Sequence, residues 1–176
     1  MSDVASRKGK KDQYANIAFG SVTASAANTL TYSQIQLAVG IFQGLAMILH
    51  RILWYPWNGT LRENVAATDQ LSLALTTSNR LTSIGENVND PAMIQSIHMI
   101  GIGVAIASVL LPIISDFTML PGGGKLVSPN PLYLGITSAG AVGAVSSACK
   151  LEFTFVELSD RDYLELIQTT FPANIL

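Results

Sequence analysis

The stretch Ile100 to Ala107 restricts the possible folds of this chain most. There Ile100, Ile102, Val104 and Ile106 alternate with Gly101, Gly103, Ala105 and Ala107. At a period of two, one face is branched and bulky and the other almost bare, which is the pattern of a strand. A lipid-facing helix gains nothing from it. The same region carries the chief competing signal, because no charge lies between Asp90 and Asp116 and Met99 to Ile114 is nearly all apolar. Pro112 interrupts that run, and its apolar kernel is shorter than the roughly 20 residues a helix needs to cross a bilayer. Small residues of this kind are also common in membrane helices, so spans near Gln36 to Leu53 and Ile97 to Ile114 stand as the alternative. A buried strand is the preferred reading.

The alternation recurs. Leu71, Leu73 and Leu75 are separated by Ser72 and Ala74, and Leu151, Phe153 and Phe155 by Glu152 and Thr154, so both segments read as half-buried strands. Leu45 to Tyr55 is apolar at both parities apart from His50 and Arg51, as expected for a central strand covered on two sides, and Pro56, Asn58 and Gly59 supply a turn after it. Weaker strands are predicted over Ile17 to Ser25, Thr29 to Leu37, Ile113 to Met119 and Leu132 to Ser138. The total is about eight strands of ordinary length. Turn formers join them at Asn87 to Pro91, Pro121 to Gly124 and Pro129 to Pro131. A brief helical turn is predicted at Val39 to Gln43, where the alternation fails. Near the end, Ser159 with Asp162 three residues on reads as a helix cap, followed by a short amphipathic helix through Tyr163, Leu164, Leu166, Ile167 and Phe171.

The 176 residues argue for one domain. With 49% hydrophobic and only 12% charged residues, the chain is apolar for a domain that leaves roughly a third of its surface exposed. Neighbouring subunits or a membrane should cover the excess. Charge is unevenly distributed. Arg7, Lys8, Lys10 and Lys11 hold four of the ten basic residues, giving about +3 for residues 1–11 and −5 for the remainder. Residues 1–13 are therefore read as a flexible basic arm and 14–176 as a single folded domain. Contact with nucleic acid is assigned to the arm. The basic start is not followed by the apolar core of a signal peptide, since Asp12, Gln13 and Asn16 interrupt it, so export is not indicated.

Catalysis needs an acid, a base and a nucleophile that converge, and the chain offers few candidates. Its imidazoles are His50 and His98, and its one cysteine is Cys149. His50, beside Arg51 in an apolar strand, reads as a hydrogen-bonded structural residue rather than a general base. A Cys149–His thiol nucleophile is conceivable in principle, but nothing nearby marks Cys149 as exposed or activated. A lone cysteine also rules out an internal disulfide framework and a zinc-ligand pattern. Glu157, Asp160, Asp162 and Glu165 suggest a calcium site at a subunit boundary, although capping and a solvated face explain them more simply. Gly122, Gly123 and Gly124 are not followed by the Lys-Ser/Thr of a phosphate cradle and read as a loop. Asn58-Gly59-Thr60 matches a glycosylation acceptor but is better read as a turn. No enzyme, cofactor or metal is expected.

Alternating strands, long turns, an apolar excess and a basic arm together describe an all-β, eight-stranded antiparallel jelly-roll sandwich with a short C-terminal helix. With its strand order and segments such as Leu49 to Ile52, Leu120 to Gly124 and Glu152 to Ser159, the chain resembles the small single-jelly-roll capsid proteins of icosahedral viruses. The resemblance implies a structural subunit that assembles with copies of itself into a closed shell around a genome. It places the protein in the virion, and in the host cytoplasm during assembly, with other virion proteins as further partners and no membrane. Arg7, Lys8, Lys10 and Lys11 would contact packaged nucleic acid weakly and without base specificity. The arm is shorter than the Arg-rich tails of many such proteins, which weighs against tight neutralisation of the genome. Two other readings stand beside this one: a small integral membrane protein with one or two spans, and a β-sandwich module that binds a ligand.

Overall fold

A computed structural model gives the fold and describes residues 15–37, 45–56, 70–84, 90–100, 112–128 and 131–170. Outside them lie Arg7, Lys8, Lys10 and Lys11, the alternating run beyond Ile100, the turn expected at Val39 to Gln43, Asn58-Gly59-Thr60, parts of the Asn87 to Pro91 and Pro129 to Pro131 turns, and Phe171. The described residues form nine strands and one helix. The strands are β1 (Asn16–Thr23), β2 (Thr31–Gln34), β3 (Leu45–Tyr55), β4 (Gln70–Thr76), β5 (Met93–Ile100), β6 (Ile113–Asp116), β7 (Lys125–Val127), β8 (Tyr133–Ala139) and β9 (Ser146–Glu157), followed by the helix α1 (Asp160–Thr170).

The protein is all-β, with two antiparallel sheets. One runs β1-β9-β3-β6, with β7 also paired to β3, and the other runs β2-β8-β4-β5. The sheets face each other across one core. Met47, Leu49, Ile52, Trp54 and Leu151 contribute from the first sheet, and Leu71, Leu73, Leu75, Leu134 and Ile136 from the second. Period-two patterning decides which side chains enter that core: in β4 the leucines point inward, and in β9 Ser147, Cys149, Leu151 and Phe153 do so while Lys150 and Glu152 do not.

The strand count exceeds the expected eight because the strand predicted over Ile113 to Met119 ends at Asp116 and an additional, unpredicted strand, β7, follows the Pro121 to Gly124 loop. β6 pairs with Arg51–Trp54 of β3 and β7 with Met47–Leu49, so the two share one edge of the same strand. The loop between them turns away at Gly122 and Gly123, whose φ values of 87° and 76° are open to glycine. At Gly124 the limit is space: a Cβ there would lie 2.7 Å from the Leu49 carbonyl oxygen and 2.5 Å from Ile48 Cγ2. The glycines let the loop lie flat on β3.

Two further differences have local causes. β4 is covered on both faces rather than half-buried, because residues 77–84 fold over its outer side and Ile84 and Met93 enclose Ala74. β3 is covered on both faces only in its first half, where Ala46 is fully buried and the glycine loop lies over Ile48. It is central in the ladder, but Arg51 and Tyr55 are exposed on its outer side. A bulge explains the mixed sequence pattern: Leu49 pairs with Phe153 and Arg51 with Glu152, leaving His50 as the extra residue. Apolar residues therefore point inward at odd positions before the bulge and at even positions after it.

Gly135 of β8 shows how closely the second sheet is covered. A Cβ there would stand 2.6 Å from Tyr32 Cε1 and 3.2 Å from Ile84 Cδ1. The Tyr32 ring cannot easily retreat, since its hydroxyl donates to the Leu81 carbonyl at 3.1 Å. Gly135→Ala is expected to cost about 1–3 kcal/mol through overpacking. A lowered urea midpoint with an unchanged slope would register it.

The described parts of the two stretches considered as membrane spans lie in β3, β5 and β6, apart from Gln36, Leu37 and Pro112, which are in connecting segments. Among the described residues, no helix is long and apolar enough to cross a membrane.

Candidate functional site

The outer face of the β1-β9-β3-β6 sheet gathers the least expected combination of side chains. Register places Ile17, Glu152, Arg51 and Asp116 in one row across four strands, and Phe19, Lys150, Leu53 and Ile114 in the next. A third row holds Ser21, Ala148 and Tyr55. Phe19 is 71% exposed, Ile114 56% and Ile17 54%. Large apolar side chains at that exposure, aligned on one face, mark an interaction surface rather than scattered surface residues.

Charges occupy the middle of this face. Arg51 Nε donates to Asp116 Oδ2 at 2.9 Å, Lys150 Nζ to Glu152 Oε1 at 2.9 Å, and Arg51 Nη1 lies 3.9 Å from Glu152 Oε2. Two bases and two acids alternate, so the face carries no net charge. Asp116 also accepts from the Thr118 hydroxyl at 2.6 Å and the Thr118 amide at 2.8 Å. Chiefly through Thr118, with Arg51 adding to it, the Asp116 carboxyl is held at about 2 instead of 3.8. Since its pKa is lower in the folded chain than in the unfolded one, this contribution to stability is complete above about pH 4 and disappears as the pH falls toward 2. Asp116→Asn is therefore expected to flatten this part of the acid limb of a stability–pH curve. The loss is expected in full near neutral pH, where the contribution is complete, and should be modest there, as is usual for exposed pairs.

His50 fastens the glycine loop to this face. Its Nδ1 is 2.7 Å from the Gly123 carbonyl, to which it donates, and its Nε2 is 3.1 Å from Thr154 Oγ1. Both ring nitrogens are thus engaged, in keeping with a structural histidine. On the opposite side of the sandwich, His98 Nδ1 pairs with Ser72 Oγ at 2.8 Å. Cys149 lies on the inward face of β9, opposite Trp54 and Gly20. The structure therefore keeps the candidate nucleophile and both imidazoles in separate environments. Burial pushes the Cys149 thiol up to about 12, the reverse of an activated cysteine. Native protein at pH 8 should resist a thiol reagent for as long as it stays folded, and denatured protein should react at one site per chain; fast native labelling would contradict the packing described.

The acidic cluster near the C-terminus is taken up by the helix itself. The Asp162 amide donates to Ser159 Oγ at 3.2 Å, Ser159 Oγ donates to Asp162 Oδ2 at 2.7 Å, and Glu165 pairs with Arg161 at 3.6 Å. The Ser159 hydroxyl thus caps the helix in the expected way, while the Asp162 carboxylate holds that hydroxyl rather than the Ser159 amide of a full capping box. Among the described residues, no group of three or more His, Cys, Asp or Glu side chains is placed to hold a metal.

Lys125 joins the two sheets. It lies opposite Leu49 in the ladder, and its ammonium donates to the Ile94 carbonyl on the other sheet. Ile94 falls at an irregularity in the β4–β5 pairing, which gives its carbonyl a use for this outside donor. Burial lowers the pKa of Lys125.

No protein-family model matches the chain, and no curated protein matches it. Among solved structures, it is similar to a chain from the disulfide-linked pili that form Bacillus endospore appendages. The two are 12% identical over 90% of this chain and 98% of that one, with a TM-score of 0.34. A superposition this loose carries no inference about fold or role.

Proposed function

We propose that the chain is a jelly-roll shell subunit: a structural virion protein that assembles with copies of itself into a closed icosahedral particle around a genome. The observation that carries the reading is the strand order. β1-β9-β3-β6 packs against β2-β8-β4-β5, with β7 continuing the position of β6. Counting β6 and β7 as one strand interrupted by the glycine loop gives two four-stranded sheets, which supports the eight-stranded jelly-roll reading. Such an architecture serves many roles. The exposed apolar face around Phe19 and Ile114 favours self-association over a monomeric binding module.

In this reading the folded domain supplies the shell, and Arg7, Lys8, Lys10 and Lys11 supply non-specific phosphate contact. Shell assembly draws chiefly on apolar burial and should strengthen in salts that favour it. Nucleic-acid retention should instead weaken as salt rises. Sedimentation of the purified protein tests the shell: a single fast species of many subunits supports it, and a monomer at all concentrations and salts contradicts it. Deleting residues 1–11 should leave particles intact with less nucleic acid, read from the ratio of absorbance at 260 and 280 nm. An unchanged ratio would remove the arm from this role.

A further inference from the structure

We infer that the outer face of the β1-β9-β3-β6 sheet is a two-fold contact between copies of this chain, with Phe19 of one copy seated over Ile114 of the other. The inference deepens the shell reading and rests on it for the claim that copies associate at all. It begins from the order of residues across the sheet. Phe19, Lys150, Leu53 and Ile114 form one row, and Ile17, Glu152, Arg51 and Asp116 the next. Rotating a copy by half a turn about an axis parallel to the strands, between β9 and β3, lays each row on itself in reverse. Phe19 then faces Ile114 of the second copy, and Glu152 faces Arg51 of the second copy.

These two matches are favourable; the same half-turn also sets Lys150 over Leu53, which its alkyl stem can cover, and Asp116 over Ile17. The two most exposed apolar side chains of the rows, at 71% and 56%, cover each other. Arg51 holds Glu152 of its own chain only loosely, at 3.9 Å, and so retains donors for a carboxylate arriving from above. The remaining charges bring their own partners: Asp116 is held by Thr118 and Arg51, and Lys150 lies along its sheet toward Glu152. A half-turn that makes a surface complementary to itself is the condition for an isologous contact. The surface suits other partners less well. Two acids balance the two bases, which gives phosphate no net attraction, and the carboxylates of Glu152 and Asp116 oppose insertion into lipid.

Chemical cross-linking of two single variants tests this geometry. In one chain, positions 19 and 114 are three strand spacings apart, about 14 Å, whereas two sheets packed face to face are about 10 Å apart. Position 19 should therefore be within reach of position 114 in the second copy but well away from the second copy's position 19. Phe19→Cys and Ile114→Cys proteins would be held roughly 100-fold above the concentration at which the wild type associates, so that the lost side chain is offset. Each would be treated with a bis-maleimide spanning roughly one sheet-to-sheet distance, first alone and then after dissociation and co-assembly, where each mixed pair keeps one intact Phe19–Ile114 match. Cys149 is buried and serves as the silent control. Circular dichroism and the unfolding midpoint establish that each variant is folded.

The expected result is a covalent dimer in the mixture, at twice the monomer mass on a denaturing gel, and little or none in either variant alone. Three results would overturn the inference: no dimer from the mixture, dimer from Phe19→Cys alone, or protection of both thiols from mono-maleimide in monomeric protein, which would mean that the chain covers this face itself. Protein that fails to cross-link and floats with phosphatidylcholine vesicles would assign the face to lipid, and also overturns it. Wild-type particles in which the mixture gives no dimer would reject this contact and leave the shell reading standing. Wild-type protein that never associates would reject both.

Discussion

Phe19→Asp is expected to abolish assembly while leaving a folded monomer. The side chain is 71% exposed on β1, so the isolated domain should change in stability by about 0.5 kcal/mol or less, as at other surface sites. In an assembled contact the same aspartate would sit in a desolvated apolar patch facing Ile114 of a second copy. Losing a central aromatic anchor costs roughly 2 kcal/mol or more, about 30-fold in affinity, before the burial of the new charge is counted. A closed particle repeats each contact many times, so a loss of this size at every copy should move the whole population to small species. Sedimentation velocity of both proteins at equal concentration reads the effect, and a circular dichroism melt verifies the fold. Unaltered particle formation would remove this face from the assembly.

Trp54→Ala should act in the opposite way, on the domain itself. Trp54 is entirely buried between β9 and β6, and its indole N–H donates to Ser115 Oγ at 3.0 Å. Truncating a buried tryptophan typically costs about 3–5 kcal/mol, mostly through lost contacts and the cavity left behind. Domains have only about 5–15 kcal/mol of stability in total, so the variant should be marginal. For a chain of this size the corresponding drop in melting temperature is roughly 6–20 °C. Trp54→Phe separates the two contributions, because it keeps most of the volume and loses the hydrogen bond, at about 1 kcal/mol. If the alanine variant melts close to wild type, the described core is wrong around β3.

Much of the fold was legible because period two is a strong signal where only one face is buried. Leu71, Leu73 and Leu75 point inward in β4 as the alternation requires, and the capping pair Ser159 and Asp162 marks the start of the helix correctly. The signal failed where something other than the pleat controls exposure. Ala74 looked like an outward residue, yet Ile84, from the segment that follows the strand, covers it. His50 and Arg51 looked like interruptions of a doubly covered strand, whereas they mark a bulge, and Arg51 heads a charged row. Lys125 and Val127 flank Leu126 in a three-residue strand too short to leave any period.

The outer face escaped notice for a related reason. Its rows are assembled from β1, β9, β3 and β6, one residue from each strand, so no local window of sequence contains two members of a row. One clue was present in β1, where Ile17 and Phe19 share a parity opposite to that of Ala18 and Val22. With both parities apolar, one set had to face away from the core. The polar alternation of Lys150 and Glu152 in β9 gave the second half of the clue, since it fixes which side of the sheet faces out.

Negative-stain electron microscopy of the full-length protein, purified without detergent across a series of salt concentrations, tests the shell most directly. The account predicts uniform closed particles that become more abundant in salts favouring apolar burial. Clean monomers throughout the series would contradict it.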